Sequence, residues 1–436
     1  MSQKNMHVEI VPSNVTSDGT ISFVNGQPVM QFIIGSQDRF IMGKTIRLSG
    51  NFALFEDAGD LPDVGDLLLM DRRGGIYSCI DQLVIKSQRT NQTIETIKNY
   101  GRFMQSFIAS TQSVGDQLSY VTGQSLANGN QLAMQYAVGL NPNNLGKNPN
   151  PFCMPLNCGL FDGRNPIPLS NTWGLGGIIV EIHLSPDSNV LYHRDGTGSA
   201  ISNARYQFSN VRLNAELSQP APQDLAALQN QTNNTLEFNS ISSYYTTFNS
   251  TNAIINFNLG LNRVLGVFCN IIPSSYVNNR DQNGMQAIYP INTNDDSVAK
   301  IKQLIFTRGG ERLPLQYNID PLARDTSVPH CADPQIYRNY INAVYSFAKN
   351  LRQQSSPSNM LYENVENSNY AVDGGPNVGI GVAFDTISGE GISFGNTPFG
   401  IQMEVDLNAN SPQSLYMFVH SKQTLVFNQT GIQIVK

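Results

Sequence analysis

Two glutamates come nearest to a catalytic arrangement in this sequence. Glu181 and Glu404 occupy matching places in two similar stretches of the chain, and a pair of carboxyl groups can serve as acid and nucleophile in glycoside hydrolysis. Both lie among alternating apolar and polar residues, a pattern typical of strands. We therefore interpret them as outward residues of a sheet or as fixed structural contacts, and we predict no catalytic residue.

The spacing of potential metal ligands gives equally little indication of a metal site. The cysteines are Cys79, Cys153, Cys158, Cys269 and Cys331, and the histidines are His7, His183, His193, His330 and His420. Zinc sites need several such residues at short fixed spacing, and Cys153 and Cys158 have no second pair nearby. The acidic stretch Glu56, Asp57, Asp60, Asp63 and Asp66 could gather carboxylates around Ca²⁺ but does not follow the EF-hand order. We expect reduced thiols, ordinary histidines, a solvated acidic loop, and no metal or other cofactor.

Nucleotide and nucleic-acid binding find little support. The glycine-rich segment 374–381 (GGPNVGIG) is not followed by a capped helix, so we interpret it as a loop that enters a strand near Val382 rather than as a phosphate site. The formal net charge is −6 and the basic residues are dispersed. A protein that coats nucleic acid needs a basic surface, so direct binding to a genome is not expected.

The N-terminus bears on where the protein is made, and the composition bears on how much of its surface is covered by other molecules. The first residues, MSQKNMHVEIVPSN, do not resemble a signal peptide, and no run reaches the roughly 18 apolar residues of a membrane helix. We expect synthesis in the cytoplasm or nucleus and no membrane span. Charged residues make up 14% of the chain, against roughly 25% in soluble domains. This deficit suggests that neighbouring molecules cover much of the surface.

Most of the chain has the pattern of strands and turns. At the C-terminus, apolar residues alternate from Leu415 to Ile434, and we predict three antiparallel strands joined by turns at 420–423 and 428–431. Only two segments have helical spacing. The first helix is predicted from Ile94, Ile97, Tyr100, Met104, Phe107 and Ile108, and the second from Ile336, Tyr340, Val344 and Phe347, with Asp333 and Pro334 at its start.

An internal repeat is the most informative feature. Arg47 to Phe52 and Arg263 to Phe268 share the pattern R-x-x-G-x-F. Further matched patches follow in the same order in both halves: 82–85 with 303–306, Asn99-Tyr100 and Ser106-Phe107 with Asn339-Tyr340 and Ser346-Phe347, Phe161-Asp162 with Phe384-Asp385, and 177–184 with 400–407. Collinear matches predict a duplicated domain. A β-rich unit of this size with one helix is most economically a β-sandwich.

The predicted organisation follows directly from the repeat. We predict an all-β chain of two tandem eight-stranded jelly-roll sandwiches, each with a short helix insertion. The first would span 1–217 and the second 235–436. The polar segment 218–234 would link them, with a short helical turn near 223–228.

The chain resembles the double jelly-roll major capsid proteins of DNA viruses, most of all those of Polinton-like viruses and virophages. The residues that carry the resemblance are 28–35 (PVMQFIIG), 43–50 (GKTIRLSG), 80–100 and the closing 415–436. The resemblance implies a homotrimer of nearly hexagonal outline that tiles an icosahedral shell. It also implies a location in the virion and partners among penton and minor capsid proteins.

Two other functions stay open at this point. A sandwich of this kind could be a carbohydrate-binding protein or a glycoside hydrolase, although Trp173 is the only tryptophan and sugar sites favour aromatic platforms. A minor capsid or vertex protein is the third reading, but such proteins usually have one jelly roll rather than two.

Overall fold

The structure is a computed structural model of the whole chain. It describes residues 5–15, 19–23, 28–55, 67–70, 75–111, 150–163, 165–194, 205–231, 233–277, 300–318, 339–340, 342–344, 347, 379–384, 390–406, 411–428 and 431–435. The acidic stretch 56–66, Cys331 and His330 lie outside these residues, as do Asp333, Pro334 and Ile336 of the second predicted helix.

The described residues of the first half form thirteen strands. They are β1 (Met6–Ile10), β2 (Thr20–Ile21), β3 (Val29–Ile34), β4 (Phe40–Ile41), β5 (Arg47–Phe55), β6 (Leu67–Met70), β7 (Ile80–Ser87), β8 (Thr93–Lys98), β9 (Asn150–Pro155), β10 (Ile167–Pro168), β11 (Ile178–Leu184), β12 (Leu191–Arg194) and β13 (Arg205–Ser218). Two antiparallel sheets dominate: sheet I has the order β1-β13-β5-β9, and sheet II has the order β3-β11-β7-β8. The short strands β2, β4 and β10 extend sheet I, and β6 pairs with β12.

The second half repeats this arrangement. Its strands are β14 (Asn234–Phe248), β15 (Asn252–Phe257), β16 (Val264–Pro273), β17 (Lys300–Arg308), β18 (Glu311–Asn318), β19 (Ile380–Ala383), β20 (Phe399–Asp406), β21 (Gln413–Asn428) and β22 (Gly431–Val435). Sheet III has the order β14-β21-β16-β19, and sheet IV has the order β15-β20-β17-β18. Taken in chain order, the eight main strands of each half therefore enter the same positions of two four-stranded sheets.

Two pairs of matched sequence patches fall on equivalent strands, which confirms the predicted duplication of the fold. Residues 47–52 lie in β5, and 264–268 lie in β16 at the same place in sheet III. Residues 82–85 belong to β7 of sheet II, and 303–306 belong to β17 of sheet IV. In each half the apolar residues of facing sheets form the core. The boundaries proposed at 217 and 235 stay a prediction.

Three α-helices have complete bounds in the described residues: α1 (Tyr100–Thr111), α2 (Asp187–Val190) and α3 (Pro222–Asn230). Helix α3 lies in the segment predicted as a linker, and none of its residues is buried. Residues 339–340, 342–344 and 347 are also helical, and we name them the second-half helix. Within the described residues no helix is long and apolar enough to span a membrane.

The first predicted helix begins too early. Ile94 and Ile97 belong to strand β8, which pairs with β7 through Leu83 and Ile97, and α1 starts only at Tyr100. Asn99 has a φ of 53°, in the left-handed region that asparagine tolerates, and it breaks the strand before the helix. The helical spacing of apolar residues continues across this break because both the end of β8 and the start of α1 bury their apolar residues in the core.

The turn predicted at 420–423 is also wrong. Strand β21 runs unbroken from Gln413 to Asn428 and pairs with β14 from Gln413 to Phe427. His420, Ser421 and Gln423 are buried polar residues inside this strand. Polar residues that suggested a turn are thus part of a covered sheet. The second predicted turn, before Gly431, is confirmed by the antiparallel pairing of β22 with β21.

Candidate assembly interface

The two glutamates with catalytic potential lie on different sheets. Glu181 sits on β11 of sheet II, where it accepts hydrogen bonds from Lys86 Nζ at 2.9 Å and from Gln31 Nε2 at 3.2 Å. Partial burial acts to raise the pKa of Glu181, but these hydrogen bonds and the Lys86 charge hold it below its usual range. Glu404 is exposed on β20 of sheet IV. Glu181 therefore makes the structural contacts expected from the sequence, and Glu404 points to solvent.

The other candidate residues are scattered. Cys79, Cys158 and Cys269 are buried free thiols, and Cys153 is partly exposed on β9. Strand β19 spans Ile380–Ala383 and so includes the end of the glycine-rich segment and Val382, where a strand was expected, while residues 374–378 lie outside the described residues. Among the described residues no group of three or more histidine, cysteine, aspartate or glutamate side chains could hold a metal ion.

Glu95 stands at the junction of the two halves. Its Oε1 accepts hydrogen bonds from the backbone N–H of Gly159 at 3.2 Å and of Ile241 at 2.8 Å, and its Oε2 accepts one from Leu160 at 3.0 Å. Ile241 lies on β14 in the second half, so one buried carboxyl group joins both halves. Burial raises the pKa of Glu95, while the three backbone N–H groups act against that rise.

Close backbone packing accompanies this contact. A Cβ atom on Gly159 would lie 1.7 Å from the carbonyl oxygen of Asn239, so only glycine fits there. The Lys98 N–H donates to Ser243 Oγ over 3.1 Å. The edge of β14 that does not pair with β21 is therefore in contact with the first half of the same chain.

An aromatic cluster continues the junction. Phe103 of α1 lies 6.2 Å from Phe268, 5.7 Å from Phe418 and 5.9 Å from Phe347, measured between ring centroids. Phe107 lies 5.4 Å from Phe347. The repeat-equivalent helices α1 and the second-half helix thus meet each other on sheet III.

Buried polar groups add specificity at this place. Ser106 Oγ donates to Asn270 Oδ1 at 2.8 Å, and Asn270 Nδ2 donates to the Arg102 carbonyl at 2.9 Å. Ser106 and Asn270 are fully buried. Because an unpaired buried amide is costly, these hydrogen bonds allow only one alignment of α1 against β16.

Sheets I and III differ in how their faces are covered. All ten residues of β16 and the first nine of β21 are buried, so the central strands of sheet III are covered on both faces, whereas its edge strand β14 keeps exposed residues. On sheet I, one face remains partly exposed. We name it the polar face; it consists of Ser49, Asn51, Cys153, Ser209 and Arg212, which are neighbours in the strand register.

Several solved structures of viral capsid proteins share this architecture. VP54 of PBCV-1, fitted into a reconstruction of the virophage Sputnik, matches with a TM-score of 0.58 and 9% identity over 100% of this chain and 97% of that chain. The Faustovirus major capsid protein matches with a TM-score of 0.58 and 11% identity over 97% of this chain and 90% of that chain. A chain of the Sputnik virophage structure matches with a TM-score of 0.57 and 12% identity over 99% of this chain and 88% of that chain.

This chain has the double jelly-roll fold of viral major capsid proteins. Identities of this size show the shared fold. No family model and no curated protein matches the sequence. The double jelly roll explains why the two halves share a strand order, and the junction described above shows how they are held together.

His420 gives this double jelly roll a predicted sensitivity to acid. Burial, with a smaller contribution from the Lys422 charge, lowers the pKa of His420 to about 3, while an unfolded histidine titrates near ~6.5. Because the folded pKa is depressed, the stability contribution is present above about pH 6.5 and is lost as the pH falls toward 3. We expect the stability advantage of the wild type over His420→Asn to shrink between pH 7 and pH 4.

Urea unfolding at several pH values checks this expectation. The matched control is His7→Asn, at an exposed position of β1. An equal difference between wild type and His420→Asn at every pH would contradict the assignment of a neutral buried imidazole.

Proposed function

We propose that this protein is a major capsid protein that forms homotrimers, and that the trimers tile an icosahedral shell. The observation that carries the proposal is the duplicated eight-stranded sandwich, whose fold matches viral capsid proteins over nearly the whole chain. The location would then be the virion. The partners would be further copies of the chain together with penton and minor capsid proteins, and the role is structural rather than enzymatic.

The duplication supports a trimer on geometric grounds. Each chain brings two similar sandwiches, so three chains joined head to tail in a closed ring present six similar units around one axis. Such a ring has a nearly hexagonal outline and can pack side by side with its neighbours. The low charged fraction of 14% supports this reading, since fewer charges must be desolvated when interfaces form.

The polar face of sheet I is the surface we assign to the next copy. Sheet III is the equivalent sheet of the second half, and its central strands β16 and β21 are covered on both faces within one chain over β16 and the first nine residues of β21. A neighbouring chain would provide the same cover for Ser49, Asn51 and Ser209. Their small uncharged side chains suit an interface held by hydrogen bonds at low desolvation cost.

Size-exclusion chromatography with light scattering tests the trimer. We expect a mass of about three times 47.9 kDa for the purified full-length protein. A monomer at micromolar concentration would count against the homotrimer. Electron microscopy of concentrated protein, with hexagonal particles as the expected result, provides a second readout.

A single substitution tests the polar face. Asn51→Arg places a long charged side chain between Ser49 and Ser209, and we expect trimer association to weaken at least tenfold, which is about 1.4 kcal/mol. The matched control, Asn252→Arg, changes an exposed position of β15 in sheet IV and should leave the trimer intact. The thermal midpoint of both variants should stay near that of the wild type. If Asn51→Arg forms a normal trimer, the polar face is not the trimer interface, but the proposed capsid role is not affected.

The carbohydrate-binding alternative has less support. Trp173 is the only tryptophan, and it is buried at 1% exposure. It therefore offers no platform for a sugar ring. Binding to a panel of immobilised glycans would be the result that favours this alternative.

A further inference from the structure

Strands β1 and β14 occupy equivalent places at the edges of sheets I and III, where they pair with β13 and β21. The repeat matches Leu48 of β5 with Val264 of β16. The residues that pair with these two on β13 and β21 pair on their other side with Ile10 of β1 and Ser240 of β14. Ile10 and Ser240 are therefore equivalent, and the correspondence extends residue by residue along both strands.

The two strands differ in how well their apolar residues are covered. Met6 of β1 is 37% exposed, whereas its equivalent on β14, Leu236, is 6% exposed. Val11, the residue after β1, is 57% exposed, whereas its equivalent Ile241 is 1% exposed. These positions are apolar in both halves, but only those of β14 are buried within one chain. The cover that β14 has is therefore missing at β1.

The backbone of β1 also has an open edge. The Glu216 N–H donates to Thr45 Oγ1 over 3.1 Å, and the Glu216 carbonyl accepts from the Met42 N–H over 2.9 Å. Glu216 thus bonds to the loop between β4 and β5, on the side of β13 away from β1. Because bonding alternates along antiparallel strands, the N–H and C=O groups of His7, opposite Glu216, and of Glu9 point away from β13. We name this side of β1 its free edge.

The corresponding edge of β14 is bonded to the first half. Glu237 is the equivalent of His7, and its carbonyl accepts a hydrogen bond from Asn165 Nδ2 over 3.3 Å. Ile241 is the equivalent of Val11, and its N–H donates to the Glu95 carboxyl group over 2.8 Å. The junction therefore shows how an edge strand of this kind is held by the other half of a double jelly roll.

We propose that the free edge of β1 docks on the second half of another copy of this chain, in the way that β14 docks on the first half of its own chain. This inference rests on the proposed homotrimer and names one contact within it. The receiving elements are the equivalents of those beside β14: β18 in place of β8, the second-half helix in place of α1, and the segment after β19 in place of the turn after β9. The contact between copies then repeats the contact within a chain, and such a head-to-tail contact closes into a ring.

A second copy is the occupant that this edge fits. Directly opposite residues of a strand pair share a face, and His7 and Glu9 lie opposite Glu216 and Asn214. Their side chains therefore point to the same face as Arg212, which belongs to the polar face. The free edge of β1 is continuous with the surface assigned to the next copy. Each copy also brings a second half whose elements match those that already hold β14.

A charge at Val11 tests the docking. Val11 is exposed in one chain, so Val11→Lys should keep the wild-type circular dichroism spectrum, yet we expect it to weaken trimer association roughly tenfold. Sedimentation of the full-length protein over a concentration series measures this change. The matched control, Ile254→Lys, introduces the same charge at a more exposed residue of β15 and should assemble like the wild type. Val11→Ile introduces the residue found at the equivalent position of β14 and should assemble at least as tightly as the wild type.

Hydrogen exchange provides a readout of the backbone itself. In the wild-type trimer, the N-terminal peptide that contains His7 and Glu9 should exchange roughly tenfold more slowly than in Val11→Lys, because docking covers the outward amides. A normal trimer for Val11→Lys, an equal loss in Ile254→Lys, or equal exchange of this peptide in both proteins would overturn the docking of β1 and leave the homotrimer standing. A wild type that stays monomeric would contradict the homotrimer and this docking together.

Discussion

Replacing Phe103 by alanine is expected to lower the free energy of unfolding by about 3–5 kcal/mol, the usual cost of truncating a buried phenylalanine. Phe103 is fully buried and contacts rings from three parts of the second half, namely Phe268, Phe418 and Phe347. The cavity would open between the halves. We therefore expect the loss to destabilise both halves together rather than the first half alone.

Equilibrium urea unfolding, followed by far-ultraviolet circular dichroism and by Trp173 fluorescence, measures this effect. Trp173 reports on the first half only, so coincident transitions from the two probes indicate one cooperative unit. Tyr245→Ala is the matched control: its ring is 52% exposed although it lies 5.1 Å from Tyr416. A loss below about 1 kcal/mol for Phe103→Ala, with separate transitions, would mean that the halves fold independently.

The duplication could be predicted from the sequence because equivalent strand positions in the two halves require the same kind of residue. Gly50 is a repeat match of Gly266, and a Cβ on Gly50 would lie 3.0 Å from the Ser209 carbonyl oxygen. Phe52 and Phe268 both fill a core position. Residues of this kind are fixed by the backbone and core of every sandwich, so their pattern persists in both copies.

Predictions from the local sequence pattern were wrong where a contact with a distant part of the chain determines the secondary structure. Ile94 and Ile97 fit a helical stripe with Tyr100, yet pairing with β7 makes them part of a strand. His420 and Ser421 suggested a turn, yet they lie inside strand β21 of sheet III and are buried. Neither outcome follows from neighbouring residues, because the partners lie far away in the chain.

The junction was missed for the same reason. Glu95 is a single acidic residue in an otherwise ordinary strand, TIETIK. Its partners Gly159, Leu160 and Ile241 come from three distant places, one of them in the other half. No alternating pattern marks Glu95, because the apolar residues of β8 are Ile94 and Ile97, three positions apart. A carboxyl group there needs donors, but the sequence does not identify them.

Removing the Glu95 carboxyl group should show how much the junction depends on it. In Glu95→Ala the N–H groups of Gly159, Leu160 and Ile241 lose their acceptor inside the protein. Each unsatisfied buried donor costs roughly 1–3 kcal/mol, so we expect the free energy of unfolding to fall by about 3–5 kcal/mol. Urea unfolding at neutral pH measures this loss.

Two further variants separate hydrogen bonding from charge. Glu95→Gln keeps an acceptor at Oε1, but its amide NH₂ would meet the Leu160 N–H, one donor facing another, so an intermediate loss is expected. Glu404→Ala removes an exposed carboxyl group from β20 and should change the stability by less than about 0.5 kcal/mol. A loss in Glu95→Gln as large as that in Glu95→Ala would mean that the negative charge matters more than the acceptors. A negligible loss in both would show that water replaces the carboxyl group and that the aromatic cluster and the Ser106–Asn270 hydrogen bond suffice to hold the two halves together.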